Sequence, residues 1–465
     1  MDQPARKFGG RAGISNSRPP FRNYKSFNPR KSQQRTFLVR ADVKTIPTIG
    51  GVDVAENTTI RDELKNRLPA VVQPFLTWLT GKPYSGQMPS VRLNWAAYEA
   101  IGLLHLILGT AISGCGVMIC WHNPTWLACG FGGCLVAVSW VVTTGGCRRL
   151  SVQINHQIIH RHFSGNRRID TSIGTINSGL VLVQPLPLFL RDHADRELGH
   201  HGLPFATVND PDCSLVVGPL LGLEPGLPRH EYNRRLWRAI FSVRFHTRFA
   251  FVRIRDNFWN PDTPLIHRLV AVGVHFSLAT VVSLAVLNTS TLLPIWIWAI
   301  AWMIPLFWGY QCAALFQLVS EHLWLSRRSS KSHGNSAALR ITLGRLMGDA
   351  PPRATSEGWM LALAWCGWWI RAVALHLPAR VGVIVADIPA HDWHHRHQSA
   401  VHDKWTAAIY SRQREIEQGM NYWDVWGLSN AIRIVFDHLA RCEPLSEAER
   451  RSLTEMDTDS AFRAL

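Results

Sequence analysis

The sequence predicts an all-α integral membrane protein with four transmembrane helices arranged as two hairpins, and three observations lead there. Residues 270–320 contain no Asp, Glu, Lys or Arg. Residues 94–146 contain only Glu99. Each run is about fifty residues, more than twice the roughly 20 that a helix needs to cross a bilayer, so each reads as two spans joined by a turn. The turns are visible as His122-Asn123-Pro124-Thr125 and Asn288-Thr289-Ser290-Thr291. The third observation is composition: 47% of the 465 residues are hydrophobic and 20 are Trp. Soluble buried helices rarely stay free of charge over such lengths.

The net charge of +16 is not a nucleic-acid signal, because of where it sits. Residues 1–44 hold eleven Lys or Arg against two Asp, and are rich in Ser, Asn, Pro and Gly. That composition predicts a basic, disordered arm over residues 1–60. Such an arm adheres to anionic headgroups and keeps the amino terminus cytoplasmic. No secretory signal is read in the first forty residues, although an Arg- and Ser-rich, acid-poor start also fits an organellar transit peptide. Nine Cys without a Cys-x-x-Cys pair predict reduced, structural thiols.

Residues 61–400 are read as the membrane domain. An amphipathic stretch, 64–79, is expected on the membrane surface. Spans follow at about 95–120 and 126–144, and Arg148 and Arg149 mark the cytoplasmic exit of the second. Residues 180–190 are apolar but too short to span, and Pro185 and Pro187 interrupt them, so they are expected to lie in or dip into the interface. The second hairpin is placed at about 264–287 and 292–318. The Trp-rich stretch 359–370 is followed by Arg371 and Arg380, is expected to end near Pro378, and reads as interfacial or protein-buried rather than as a fifth span. Residues 401–465 are expected to form a cytoplasmic tail.

Histidines cluster where these spans would return to the cytoplasm. His156 and His160 follow the second span, His193, His200 and His201 come next, His322 follows the fourth, and His391, His394 and His395 come last. Spacings of i, i+3 and i+4 place imidazoles on one helical face. Two hairpins would bring all nine to one membrane face. Imidazole suits iron, zinc and copper. Nine ligands exceed the four of a structural zinc or the three of a catalytic one; two redox irons that activate oxygen would use them all. Asp210, Asp212, Glu321, Asp387 and Asp392 stand close enough in sequence to orient the rings as outer partners, or are ordinary solvated charges. His162 and His397 fit no box. His105, His122, His275 and His376 read as hydrogen-bonded core residues.

The set His-x-x-x-His, His-His followed by Asn-Asp-Pro-Asp, a lone His after the fourth span, and His-x-x-His-His resembles the membrane fatty-acid desaturase and hydroxylase superfamily over residues 95–400. The resemblance implies a cytoplasmic helical cap that carries the histidine boxes and a non-haem di-iron centre ligated by the nine His named above. It also implies O2-dependent removal of two hydrogens from a lipid acyl chain, with electrons from a ferredoxin-like or b-type cytochrome donor. Two positions depart from the family pattern. His193 lies seven residues before His200, so either a turn is inserted or His193 is no ligand. Leu318 stands where some members carry a water-linked Asn.

Hydroxylation, acetylenic bond formation, ketolation and oxidative decarboxylation share the abstraction step and remain open. A zinc-dependent membrane hydrolase or receptor would need only three or four of these His. A metal transporter would bind near the bilayer midplane, away from these clusters.

Overall fold

The computed structural model describes residues 60–195, 199–286, 292–326, 340–353, 358–397 and 405–455, all within a unit that runs from Ile49 to Leu465. The expected basic arm lies outside the described residues, and so does the turn at 288–291. The fold is mostly helical, and five helices are long and apolar enough to cross a membrane.

The first two of these form a hairpin. Helix α3, Trp95–His122, starts where the Asn94 side chain accepts from the Ala97 N–H at 2.9 Å. Helix α4, Trp126–Arg148, starts where the Thr125 hydroxyl does the same for Ala128. Each cap satisfies one of the amide donors a helix leaves open at its start. The pair packs through small residues. A Cβ on Gly116 would sit 2.6 Å from the carbonyl oxygen of Gly132, so only glycine allows this approach.

Helix α4 continues without a break through a π-helical segment, Arg149–Asn155, into α5, His156–Ile159, making one 34-residue helix, Trp126–Ile159. The helix therefore runs on past 144, where the crossing is expected to end, and reaches the first histidine pair. Helix α6, Arg167–Leu180, and the short α7, Leu186–Phe189, follow, with a further π turn at Leu190–Ala194. Three helices, α8 (Pro211–Val217), α9 (Arg229–Ile240) and α10 (Val243–Phe258), come before the second apolar pair. That pair is α11, Leu265–Ala285, and a 29-residue helix, Leu293–Glu321, built from α12 (Leu293–Ile297), two π segments and α13 (Tyr310–Glu321). Pro305 begins one of those π segments, where the helix absorbs its missing N–H.

The fifth long helix differs from the sequence reading. Helix α14, Gly358–Arg371, does not stop at Pro378 but runs on through π turns to Val383, giving 26 residues. Stretch 64–79 also differs. Its helices α1 (Ile60–Arg67) and α2 (Gln73–Thr80) bury Leu64, Leu76 and Leu79 against Trp368 and Ala372 of this helix. Part of its apolar face is thus covered by protein, while Val71 and Phe75 stay exposed.

The carboxyl-terminal part is not a separate tail. Strand β1, Gly344–Leu346, pairs in parallel with β2, Asp424–Trp426, a small departure from an all-α fold. Helix α15, His391–Arg396, carries the last histidines, and α16, Ala408–Glu417, packs against it. Helix α17, Leu428–Arg441, shares a core with α9 and α13, and α18, Glu447–Glu455, closes the described chain. The long helices keep apolar outer faces: Ile107, Phe131, Val138, Phe276 and Leu284 are all exposed. Continuous apolar surface of this kind is what lipid tails cover. No disulfide joins any of the nine cysteines.

Candidate metal centre

The α4–α5 helix ends in the first pair: His156 on α5 and His160 one turn later. His193 comes from the π turn after α7. The chain then closes a loop on itself, with the Gly199 N–H donating to the Asp195 carbonyl and the His201 N–H to the His193 carbonyl at 2.9 Å. The seven-residue gap is therefore a closed excursion that returns His200 and His201 beside His193. His322 follows α13, and His391, His394 and His395 occupy one turn of α15.

These side chains meet as two groups of four. His156, His160, His201 and His394 form one, and His200, His322, His391 and His395 the other. Within each group one ring nitrogen from every residue lies within 4.8 Å of the others. Each adjacent pair, His200-His201 and His394-His395, contributes one ring to each group, so the groups are neighbours. The His201 and His395 rings stack with centroids 4.3 Å apart. His193 joins neither four, but its Nε2 lies 3.0 Å from Nε2 of His156, beside the first group.

The donor set fits metal ions. Nε2 of His160, His322 and His394, Nδ1 of His395 and both nitrogens of His201 are buried without a hydrogen-bond partner. So many orphaned buried polar atoms in one place are costly unless something shared satisfies them. Burial first, and then the neighbouring rings or the Arg345 guanidinium, hold His160, His193, His201, His322, His391, His394 and His395 well below the usual imidazole range. Neutral imidazole is the ligating form.

His200 differs. Burial pushes its pKa down, but Asp210 and then Asp212 outweigh this and hold it at about 9. Its Nδ1 lies 3.0 and 3.1 Å from the Asp210 oxygens and 3.3 Å from Asp212, which fixes the ring and leaves Nε2 for the group. Asp210 is itself held by the N–H groups of Ala206 and Asp212 at the start of α8. His322 Nδ1 is fixed by Thr342 Oγ1 at 3.0 Å. Glu321 lies 3.8 Å from His391 Nε2.

The other two acids do not touch a histidine, nor are they solvated. Asp387 accepts from Gln157 at 3.3 Å, and burial raises it to about 6. Asp392 pairs with Arg412. His162 lies near His160, and His397 lies 2.7 Å from Glu415. Among the single histidines, His105 is bonded to the Ile101 carbonyl at 2.7 Å and His376 lies 3.3 Å from Asp349. His122 is not a core residue: it is exposed at the end of α3.

The sequence reading missed several residues around the site. Arg148 and Arg149 do not flank a span in solvent but are buried within the α4–α5 helix. Arg148 lines a cavity of about 100 Å³ whose wall also holds His156, His193, His200 and His391. Leu318, the position without the family's Asn, lines it too. The neighbouring Gln317, which no spacing rule singles out, donates to Glu321 at 3.1 Å.

Glu415 is a second omission. It accepts from Trp393 Nε1, Arg396 and the Tyr422 hydroxyl, and so braces α15. Burial would raise its pKa, but His397 and Tyr422 outweigh burial and bring it down to about 2. A carboxylate depressed from 4.5 to about 2 stabilises the fold fully above pH 4.5, and that stability is lost as pH falls through about 2. The unfolding difference between the native chain and Glu415→Gln is expected to be fully present just above pH 4.5 and to shrink as pH drops through that window. Denaturant titrations at several pH values check this, and a gap independent of pH would contradict it.

No family model, curated protein or solved structure matches the chain.

Proposed function

We propose that the chain is an O2-dependent di-iron membrane oxidoreductase that introduces a double bond into a lipid acyl chain, as its histidine boxes resemble those of the membrane desaturase and hydroxylase superfamily. The observation that carries this reading is the pair of adjoining four-imidazole groups, one fully and one largely buried, which share one cavity. A single zinc uses three or four ligands, so eight in two sets favour a two-metal centre over a zinc hydrolase or receptor. All-nitrogen ligation suits iron better than magnesium or calcium.

The four-span arrangement has support of its own. His156 stands at the end of one long helix and His322 just past the end of another, so both helices finish at the same face. Helix α14 stays beside that face. Asp349, three residues after β1, is bonded by Arg371 at 2.8 Å, and its carbonyl accepts from Trp368 Nε1. With β1 also packed on α15, the middle of α14 lies next to the histidine helix, which favours an in-plane or re-entrant helix over a fifth crossing. Both termini and the boxes are then cytoplasmic, where a ferredoxin-like or b-type cytochrome donor can reach them.

The eight imidazoles would hold two irons, which when bound would supply the reduction of oxygen needed for C–H abstraction. The overall reaction is R–CH2–CH2–R′ + O2 + 2 e⁻ + 2 H⁺ → R–CH=CH–R′ + 2 H2O. The chain's own residues do the positioning. Asp210 and Thr342 fix His200 and His322, and Glu321 stands between Arg345 and His391. Val152, Phe249, Val252 and Leu318 give the cavity an apolar wall on which an alkyl segment can lie. Hydroxylation or another oxidation of the same chain follows if the substrate radical sits differently in that cavity.

The test is metal analysis with lipid profiling. The purified protein is expected to carry about two iron atoms per chain, consistent with two sets of four ligands. Cells that express it are expected to accumulate an unsaturated or oxygenated lipid that is absent with His394→Ala. A zinc-only protein that acts without oxygen would refute the reading.

A further inference from the structure

We propose that Arg148 forms a carboxylate-binding subsite inside the cavity, so that the substrate is a free long-chain carboxylic acid held by its acid group, rather than a thioester or a glycerolipid. The inference deepens the reading above and rests on it for the reaction, but the subsite can be tested without it.

Arg148 is 1% exposed and lines the same cavity as His156, His193, His200 and His391. Its Nη2 donates to the Gln317 side chain, and its guanidinium lies over the Tyr310 ring, 5.4 Å from the centroid. Its Nε and Nη1 are buried with no partner. The contrast is Arg253 on the same wall, whose three nitrogens donate to the carbonyls of Leu182, Leu306 and Val181 at 2.8, 2.7 and 2.5 Å. One buried guanidinium has every side satisfied, and the other, in the wall of a cavity, has two donors without a partner.

Charge points the same way. Arg345 contacts Glu321 at 3.3 Å, while Arg148 reaches that carboxylate only through Gln317. Two buried guanidiniums thus share one acid. The remaining acids of the cavity wall are engaged elsewhere: Asp212 lies against His200, and Asp256 pairs with Arg255. A buried cation without its own counter-ion is strongly unfavourable, and a carboxylate brought in by a ligand relieves it. The cavity is therefore charged at Arg148, apolar along Val152, Phe249 and Val252, and metal-binding at its histidines. A fatty acid has the two complementary parts, an acid group for Arg148 and an alkyl chain for the apolar wall. Oxidation would then occur at a carbon counted from the carboxylate.

The experiment measures binding of radiolabelled palmitate to the full-length protein in nanodiscs, with methyl palmitate and hexadecane as competitors and iron measured on the same preparation. Palmitate is expected to bind saturably, and the ester and the alkane to compete at least about tenfold more weakly. Arg148→Met is expected to erase that preference while hexadecane still binds, and Arg148→Lys to keep part of it. The proposal is overturned if palmitate does not bind, if palmitate and its methyl ester compete equally, or if Arg148→Met keeps the preference. Should Arg148→Met fail to fold, the acid-against-ester comparison on the native chain decides alone. Iron without acid preference sinks this inference only, and acid preference without iron sinks only the di-iron reading.

Discussion

Replacing His395 with alanine is expected to lower bound iron from about two atoms per chain to about one and to abolish the lipid product. His395 sits at the centre of the second group, with ring centroids 5.2, 4.8 and 4.5 Å from those of His200, His322 and His391. Its removal leaves three imidazoles; the one spare ring nearby, His193, lies 5.3 Å from His200 by ring centroid but is engaged with the first group, its Nε2 3.0 Å from that of His156. The first group differs. His394→Ala leaves His156, His160 and His201, with His193 already 3.0 Å from His156. That variant is expected to keep near-native iron as purified. It should release the iron at about 10–100-fold lower chelator concentration, since loss of even an outer partner of a ligand costs that much. Iron analysis before and after graded chelation separates the two. Equal losses in both variants would mean that the groups do not act as two separate metal sites.

Much of the framework was legible because charge-free runs have few structural explanations. The expected starts near 95, 126 and 292 fall within a residue or so of Trp95, Trp126 and Leu293, where a cap or turn residue sits beside an apolar run. The ends were less legible. The helix of span two runs on past 144 because a π segment that begins at Arg149 extends it beyond two arginines whose charge reads as an exit signal in sequence. Helix α14 overran Pro378 for a related reason, since π turns flank the proline and accommodate its missing hydrogen bond.

The histidines were legible as a set but not as two groups. Adjacent residues on a helix point about 100° apart, so His394 and His395 face different neighbours. Which of them joins which group depends on how α15 is rotated against α5 and the His193–His201 loop, and no spacing encodes that. The same holds for the acids. Asp210 is bonded to His200 and Asp392 is not bonded to its own neighbours' rings, although Asp392 is far closer to histidines in sequence. Gln317, Arg345, Arg412 and Glu415 left no signal because each meets the site only through tertiary packing.

Arg412→Met is expected to destabilise the fold by about 3–5 kcal/mol, the usual cost of breaking a buried ion pair from one side. Arg412 grips Asp392 through Nε at 2.8 Å and Nη2 at 2.6 Å, and reaches Asp424 through Nη1 at 2.6 Å. Lys82 closes the set by pairing with Asp424. All four side chains are at most 4% exposed, so two acids and two bases neutralise one another out of contact with water. Burial raises the pKa of Asp392 even with Arg412 present, whereas Arg412 and Lys82 outweigh burial at Asp424 and hold it low. Removing Arg412 leaves Asp392 with no counter-ion one residue from His391, and Asp424 with Lys82 alone. Arg412→Lys is not a rescue, because a single ammonium cannot span both acids as the planar guanidinium does. The set ties the segment after α2 to α15, α16 and β2, so its loss should also loosen the second histidine group and ease iron release during chelation. Pairing Arg412→Met with Asp392→Leu removes the stranded charge and is expected to recover part of the stability. Chemical unfolding of the native chain, the single variant and the pair measures all three. An unchanged midpoint in Arg412→Met would show that these charges are not what fixes the histidine helix in place.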